Sequence, residues 1–189
     1  MSRGTFLYSS GMPSAPQLKD GIAMRGDLCV IVRDAATLKQ IRKIEIRNKI
    51  TFLAADVLVE MLAQRGTDPL TSYNKMFSMR MGTSNTAASR SDTNLGAFII
   101  GKELFDVNKV TGVPGELEFT AQLAAGDGNG NTFQEAGLFT RGDALVATPS
   151  DVTSTLPGKV RMFARQIHPA IPKTIAIVLD YAWRISFTA

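Results

Sequence analysis

The residue types that could do chemistry in this chain are few, and their scarcity narrows its function. His168 is the only histidine and Cys29 the only cysteine of 189 residues. A lone histidine cannot build a three-ligand zinc site. Serine-based catalysis would need His168 as its base, and no Gly-x-Ser-x-Gly nucleophile motif occurs. His168 stands before Pro169 between two apolar strands and is read as a strand-end residue whose ring bonds to backbone. Cys29 lies in the apolar run Leu28-Cys29-Val30-Ile31-Val32, which suits a buried structural thiol. A single cysteine excludes an intrachain disulfide framework and a cysteine-built zinc cluster. No paired-carboxylate motif stands out.

Three stretches approach known motifs and depart from them. Gly96-Ala97-Phe98-Ile99-Ile100-Gly101-Lys102-Glu103 has the glycine spacing of a phosphate loop. Glu103 replaces the hydroxyl that would hold magnesium, and Phe-Ile-Ile suits a strand better than a cradle of amides. Asp127, Asn129 and Asn131 match the first ligand positions of a calcium loop, but Thr132 stands where glycine is needed and Leu138 where glutamate is needed. A glycine-rich hairpin turn accounts for them. Arg25-Gly26-Asp27 and Arg141-Gly142-Asp143 spell an adhesion tripeptide without a secretory context, and Gly-Asp is a common turn pair. The residues therefore point to a protein that is not an enzyme and that uses no metal or cofactor.

The elements that must position these residues are mostly strands. Ile175, Ile177, Leu179, Tyr181, Trp183, Ile185 and Phe187 occupy every odd position of the last segment. Side chains on a strand alternate faces, so 174–188 reads as one long strand with an apolar face. The small residues Ala176, Val178 and Ala182 between them suggest that part of the other face is covered too. Further strands are predicted at 28–33, around Ile41, Ile44 and Ile46, and at 76–81, 97–105, 117–124, 132–139, 144–148 and 159–166, with 34–37 as a turn. From Thr51 the period becomes helical through Phe52, Leu53, Val57, Leu58, Met61 and Leu62. Thr51 serves as N-cap and Gly66 as stop, so a helix is predicted near 52–65. Residues 82–94 lack a large apolar side chain and read as a long surface loop. Residues 1–22 are rich in Ser, Gly and Pro and read as an extended arm. The fold expected is mainly β: an antiparallel β-sandwich over 23–189 with one packed α-helix and an extended N-terminal arm at 1–22.

Composition fits one domain with an arm: 44% hydrophobic, 20% charged and a formal charge of +4. The cluster Lys39, Arg42, Lys43, Arg47 and Lys49 is interrupted by Glu45 in an alternating segment, which suits a solvated strand face, so no direct nucleic-acid binding is expected. No apolar run is long enough to span a membrane, and no signal-peptide core is present. Synthesis and assembly in a cytoplasm follow as the expectation.

Several segments, in order, resemble a β-sandwich family of tailed-bacteriophage virion proteins. Met79-Arg80-Met81-Gly82-Thr83-Ser84-Asn85-Thr86-Ala87-Ala88 with Ser91-Asp92-Thr93-Asn94-Leu95-Gly96 is similar to a strand, a Gly-Thr-rich loop and an Asp-Thr-x-Leu-Gly close. Phe133-Gln134-Glu135-Ala136-Gly137-Leu138-Phe139 resembles a Glu-Ala-Gly-Leu-Phe strand. Phe163 to Thr174, leading into Ile185-Ser186-Phe187, resembles a terminal strand pair joined by a Pro-x-x-x-Lys-Thr turn. The loop lacks the repeated Gly-Thr-Gly of many relatives, and the arm has no clear counterpart. The resemblance implies a structural protein of a virion, assembled in the host bacterial cytoplasm, whose partners are copies of itself and other virion proteins. A tail-associated place (fibre, baseplate or adaptor) is favoured over a capsid-decorating or cement role. The rival of another class is a receptor- or glycan-binding module, and an enzyme acting on cell-wall sugars ranks last. The candidate interaction loop is Gly82, Thr83, Ser84, Asn85, Arg90, Asp92 and Asn94. The candidate docking arm carries Arg3, Phe6, Leu7 and Tyr8.

Overall fold

The computed structural model describes residues 23–51, 54, 76–104, 106–113, 115–140 and 160–188. The arm predicted at 1–22, most of the segment predicted to be helical at 52–65 and the strand predicted at 144–148 lie outside the described residues. Nine strands run through those described: β1 (Ala23–Asp34), β2 (Gln40–Ile50), β3 (Met76–Gly82), β4 (Phe98–Glu103), β5 (Asp106–Lys109), β6 (Glu116–Leu123), β7 (Thr132–Thr140), β8 (Met162–Pro172) and β9 (Ile177–Thr188). All pairs are antiparallel, in the order β4-β3-β7-β8-β2-β1-β9-β6-β5. Strand β2 divides this order. Its residues from Gln40 to Asn48 pair with β1, and only Lys49 and Ile50 pair with β8. Two antiparallel sheets result: β2-β1-β9-β6-β5, and β4-β3-β7-β8 joined to the end of β2.

The long alternating strand proves to be the spine of the first sheet. It pairs along its whole length with β1 and, from Leu179 to Ser186, with β6. Leu179, Tyr181, Trp183 and Ile185 are buried, as their period requires, and Trp183 lies opposite both Leu28 and Phe119. One buried apolar cluster draws Leu28 and Val30 from β1, Met79 and Met81 from β3, Phe133 and Leu138 from β7, and Trp183 from β9. Strands from both sheets therefore share one core. Outward on β9, Val178 is buried and Ala182 half-buried, while Ala176 is exposed in the turn before the strand, so the second face is covered only in part.

Several sequence expectations need correction. The last strand begins at Ile177, and Ile175 sits in the preceding turn, 71% exposed. The alternation continued into residues that no neighbouring strand pairs. Residues 169–173 do not form a turn, because β8 continues to Pro172 and the turn follows at 173–176. The strand accommodates Pro169 through a bulge. Between the pairs Phe133↔Ile171 and Glu135↔Ile167, Gln134 alone opposes His168, Pro169 and Ala170. A proline lacks the amide a ladder needs, and a bulge is where that loss is tolerated. His168 is thus inside β8 rather than at its end. Strand β5 had no alternating signal, since Asp106, Val107, Asn108 and Lys109 are all exposed. The turn at 34–37 stands as expected: Asp34 Oδ1 accepts from the Thr37 amide at 2.8 Å, and Leu38 takes a φ of 55°.

The Thr51 hydroxyl lies 2.7 Å from the Met162 carbonyl and 3.0 Å from that of Phe163, so it fastens the chain after β2 to β8. Ala54 is buried, and its amide bonds the Thr51 carbonyl at 3.2 Å.

Replacing Trp183, which is 0% exposed, with alanine should cost about 3–5 kcal/mol through the cavity it opens. Ile175→Ala should shift stability by less than about 0.5 kcal/mol. Chemical denaturation of both variants checks the assignment, and a Trp183→Ala loss under about 1 kcal/mol would contradict it.

Candidate functional site

The polar residues that the sequence scattered over three segments meet at Glu135. This β7 carboxylate is fully buried. Its Oε1 accepts from the Ala97 amide at 2.7 Å and the Ser84 amide at 3.3 Å. Its Oε2 accepts from the Gly96 amide at 3.0 Å, and from Arg165 Nε and Nη2 at 3.0 and 2.8 Å. A buried carboxylate is tolerated only when its lone pairs are met in this way. Arg165, on the neighbouring strand β8, is itself buried. Its Nη1 bonds Asp92 Oδ2 at 2.8 Å, and its Nη2 reaches the Thr86 carbonyl at 3.2 Å. Burial alone would lower the Arg165 guanidinium, but the Asp92 and Glu135 carboxylates outweigh it and hold it above its ordinary value.

These contacts pin the 83–97 segment across the outer face of the second sheet. Asp92 Oδ2 also accepts from the Ser89 amide at 2.7 Å, and Gln134 Nε2 donates to the Thr83 carbonyl at 3.2 Å. Under the segment Leu95 joins Phe139, Val160 and Met162 in a second apolar cluster, with Phe98 packed against it. The Arg80 guanidinium lies 4.9 Å from the centre of the Phe139 ring and 5.6 Å from that of Phe98.

The geometry also explains the glycines. A Cβ on Gly82 would stand 2.3 Å from the Ala97 carbonyl oxygen and 2.4 Å from Glu135 Oε1. One on Gly137, which pairs with Arg80 on one side and Arg165 on the other, would stand 2.7 Å from the Phe139 ring and 3.0 Å from Leu95. The Glu-Ala-Gly-Leu-Phe strand is thus buried on both faces: Ala136 and Leu138 point into the shared core, while Glu135, Gly137 and Phe139 hold the loop.

Of the candidate loop residues, Gly82 ends β3 and is buried, Thr83 and Ser84 are half-buried and donate their amides inward, and Asp92 binds Arg165. Asn94 Oδ1 accepts from the Leu95 amide at 2.8 Å. Asn85 and Arg90 are exposed. The expectation of a surface loop over 82–94 is therefore corrected in part, because Ala88 is buried as well. Sequence reasoning had Glu135 and Arg165 inside its motifs without giving them a role. A glutamate and an arginine in otherwise apolar strands were the available signal. The arm residues Arg3, Phe6, Leu7 and Tyr8 lie outside the described residues.

The other candidates separate in space. Cys29 is half-buried and faces outward on β1, which corrects the buried-thiol reading, and burial raises its pKa. His168 is buried on β8, with Nδ1 at 2.9 Å from the Pro169 carbonyl and Nε2 at 3.4 Å from the Tyr181 hydroxyl. Burial lowers the pKa of His168 and raises that of Tyr181. The phosphate-loop look-alike is the paired strand β4, and Arg25-Gly26-Asp27 lies in β1 rather than in a turn, its charges bonded to each other at 2.9 Å. Arg141-Gly142-Asp143 lies outside the described residues.

In the turn at 125–130, the Lys173 ammonium is the cation that the acceptors surround. It donates to the Ala125 carbonyl at 3.0 Å, Asn129 Oδ1 at 3.1 Å and the Thr174 carbonyl at 3.0 Å. Asp127 Oδ2 holds the Ala124 amide at 2.8 Å and Lys102 Nζ at 2.7 Å. These acceptors are committed to two lysines and a backbone amide. Among the described residues no group of three His, Cys, Asp or Glu side chains could hold a metal ion. No protein-family model, curated protein or solved structure matches the chain.

Glu135→Ala should destabilise the protein by about 3–5 kcal/mol, since it takes one of two carboxylates from a buried guanidinium and the acceptor from three backbone amides. Thermal or denaturant unfolding measures the loss, and proteolysis should cut within 83–97 first. The His168 ring charges less readily folded than at its ordinary value of 6.5. Its contribution to stability is therefore present above that value and lost as pH falls below it towards the lower folded pKa. The difference in unfolding free energy between the protein and His168→Gln should narrow as pH falls through that interval and stay flat above it.

Proposed function

We propose that the chain is a non-enzymatic structural protein of a tailed-bacteriophage virion that assembles with copies of itself and with other virion proteins, with a tail-associated place favoured over a capsid-decorating one. The observation that carries this reading is the convergence at Glu135. The three segments that resemble the virion family contribute Gly96 and Asp92, Glu135 and Gly137, and Arg165, and these residues satisfy one another around a single buried carboxylate. Residues distant in sequence that cohere physically support a resemblance better than any one motif does. The chemistry of the site supports a structural role as well, because the Glu135 and Arg165 side chains are engaged in holding backbone and each other.

The reading includes a β-sandwich. Strands β3 and β4 of one sheet approach β6 of the other, and both contribute to one core. Strand β5 closes the strand order with Val107 49% exposed, and an edge of this kind is suited to a neighbouring subunit. One feature favours the receptor- or glycan-binding alternative: the pinned loop presents Asn85, Thr86 and Arg90 to solvent on a rigid base.

Antibody raised against the chain should detect it in gradient-purified particles, and immunogold should mark the tail. Recovery only in the soluble fraction of the lysate would refute the structural reading. Glycan or cell-surface binding that disappears when 83–94 is replaced by a short linker would establish the alternative.

A further inference from the structure

The outer face of the first sheet carries a charge pattern that the site at Glu135 does not use. The registers of β2, β1, β9 and β6 align their outward residues in rows. One row reads Arg47, Asp27, Arg184, Glu118 across the four strands, so its signs alternate. The adjoining row reads Glu45, Cys29, Ala182, Thr120 and has small, weakly polar residues at its centre. All of these residues except Thr120 line a groove of about 600 Å³.

We propose that this face is an interface with a second copy of the chain, related by a two-fold axis that runs along the strands between β1 and β9. The proposal rests on the homo-oligomeric reading above and names the surface involved. The argument is symmetry. An alternating row of four charges, turned about such an axis, meets itself with every sign reversed. Arg47 then faces the second copy's Glu118, Asp27 faces its Arg184, and the reciprocal pairs follow. Cys29 and Ala182 face each other at the centre, where small side chains let two sheets approach to about 10 Å. In the next row Lys43 meets Gln122, and Asp180, opposite Ile31, is already held by Arg33 and Gln122.

Within one copy the row is only partly satisfied. Arg184 bonds Glu118 at 2.6 Å and Asp27 bonds Arg25 at 2.9 Å. Arg47 is exposed and makes no ion pair among the described residues. The second copy supplies its partner.

The test uses the full chain and two single variants, Arg47→Glu and Glu118→Arg. Sedimentation equilibrium at low salt should show a dimer whose dissociation constant rises roughly tenfold or more in each variant, because like charges then face each other twice. An equimolar mixture of the two variants should restore association, since Glu at 47 meets Arg at 118 and the unaltered Glu118 meets the unaltered Arg47. A short bis-maleimide should cross-link the dimer through Cys29, and Cys29→Ser should abolish the product. A chain that is monomeric at low salt overturns the proposal and the homo-oligomeric reading together. A chain that assembles, with both variants associating like the original and no Cys29 cross-link, overturns this face alone and leaves assembly to the strand edges. Circular dichroism confirms that each variant is folded, and the cross-link reports on the face should Glu118→Arg fail to fold.

Discussion

The buried pairing of Glu135 with Arg165 is the constraint on which the second sheet's outer face depends. Neither charge could stay in the interior alone, because desolvation of an unpaired ion costs several kcal/mol even after relaxation. Together, with three backbone amides and Asp92 completing the set, they turn a polar loop into a fixed cover. The cover in turn permits Leu95, Phe98 and Phe139 to be apolar on a face that would otherwise meet water. One ion pair thus allows β7 and β8 to carry apolar residues, Phe139 and Met162, on the outer face as well.

A comparable logic works at the opposite end of β8. The Lys173 ammonium holds the glycine-rich turn by the Ala125 carbonyl and Asn129 Oδ1, and the adjoining bulge lets Pro169 sit in a paired strand. The terminal motif is a structural clasp in both halves: Arg165 holds the loop before β4, and Lys173 holds the turn before β7. The residues that looked most able to do chemistry, His168 and Cys29, lie on different sheets, His168 turned inward to Tyr181 and Cys29 turned outward. Their separation fits a molecule whose polar groups are spent on holding backbone in place.

How far the site could be read in advance differs from residue to residue. Gly82, Asp92 and Gly96 were visible as members of a loop motif, but a motif records composition and spacing without direction. Whether Asp92 points to solvent or to an arginine seventy-three residues later depends on strand order. Arg165 sat in an apolar strand, where its charge was a warning without a partner. The partner, Glu135, is placed beside it by the antiparallel pairing of β7 with β8, which aligns Gly137 with Arg165 and sets Glu135 two residues along the same face. Strand β5 was invisible for a simpler reason: an exposed edge strand has no buried face to impose a period.

What the sequence determined by itself is local. Alternation over 177–187 required a strand with Trp183 on its buried face, the Asp34 turn followed from a side chain that bonds its own backbone, and the Gly-Asn run required a tight connection. These features depend on neighbours in the chain, so a single sequence displays them. Tertiary structure alone decided that β2 joins two sheets, that β8 passes through Pro169 by a bulge, and that three distant segments close on Glu135. Each of these depends on which strands lie side by side, and hydrophobic periodicity gives every strand a face without naming its partner.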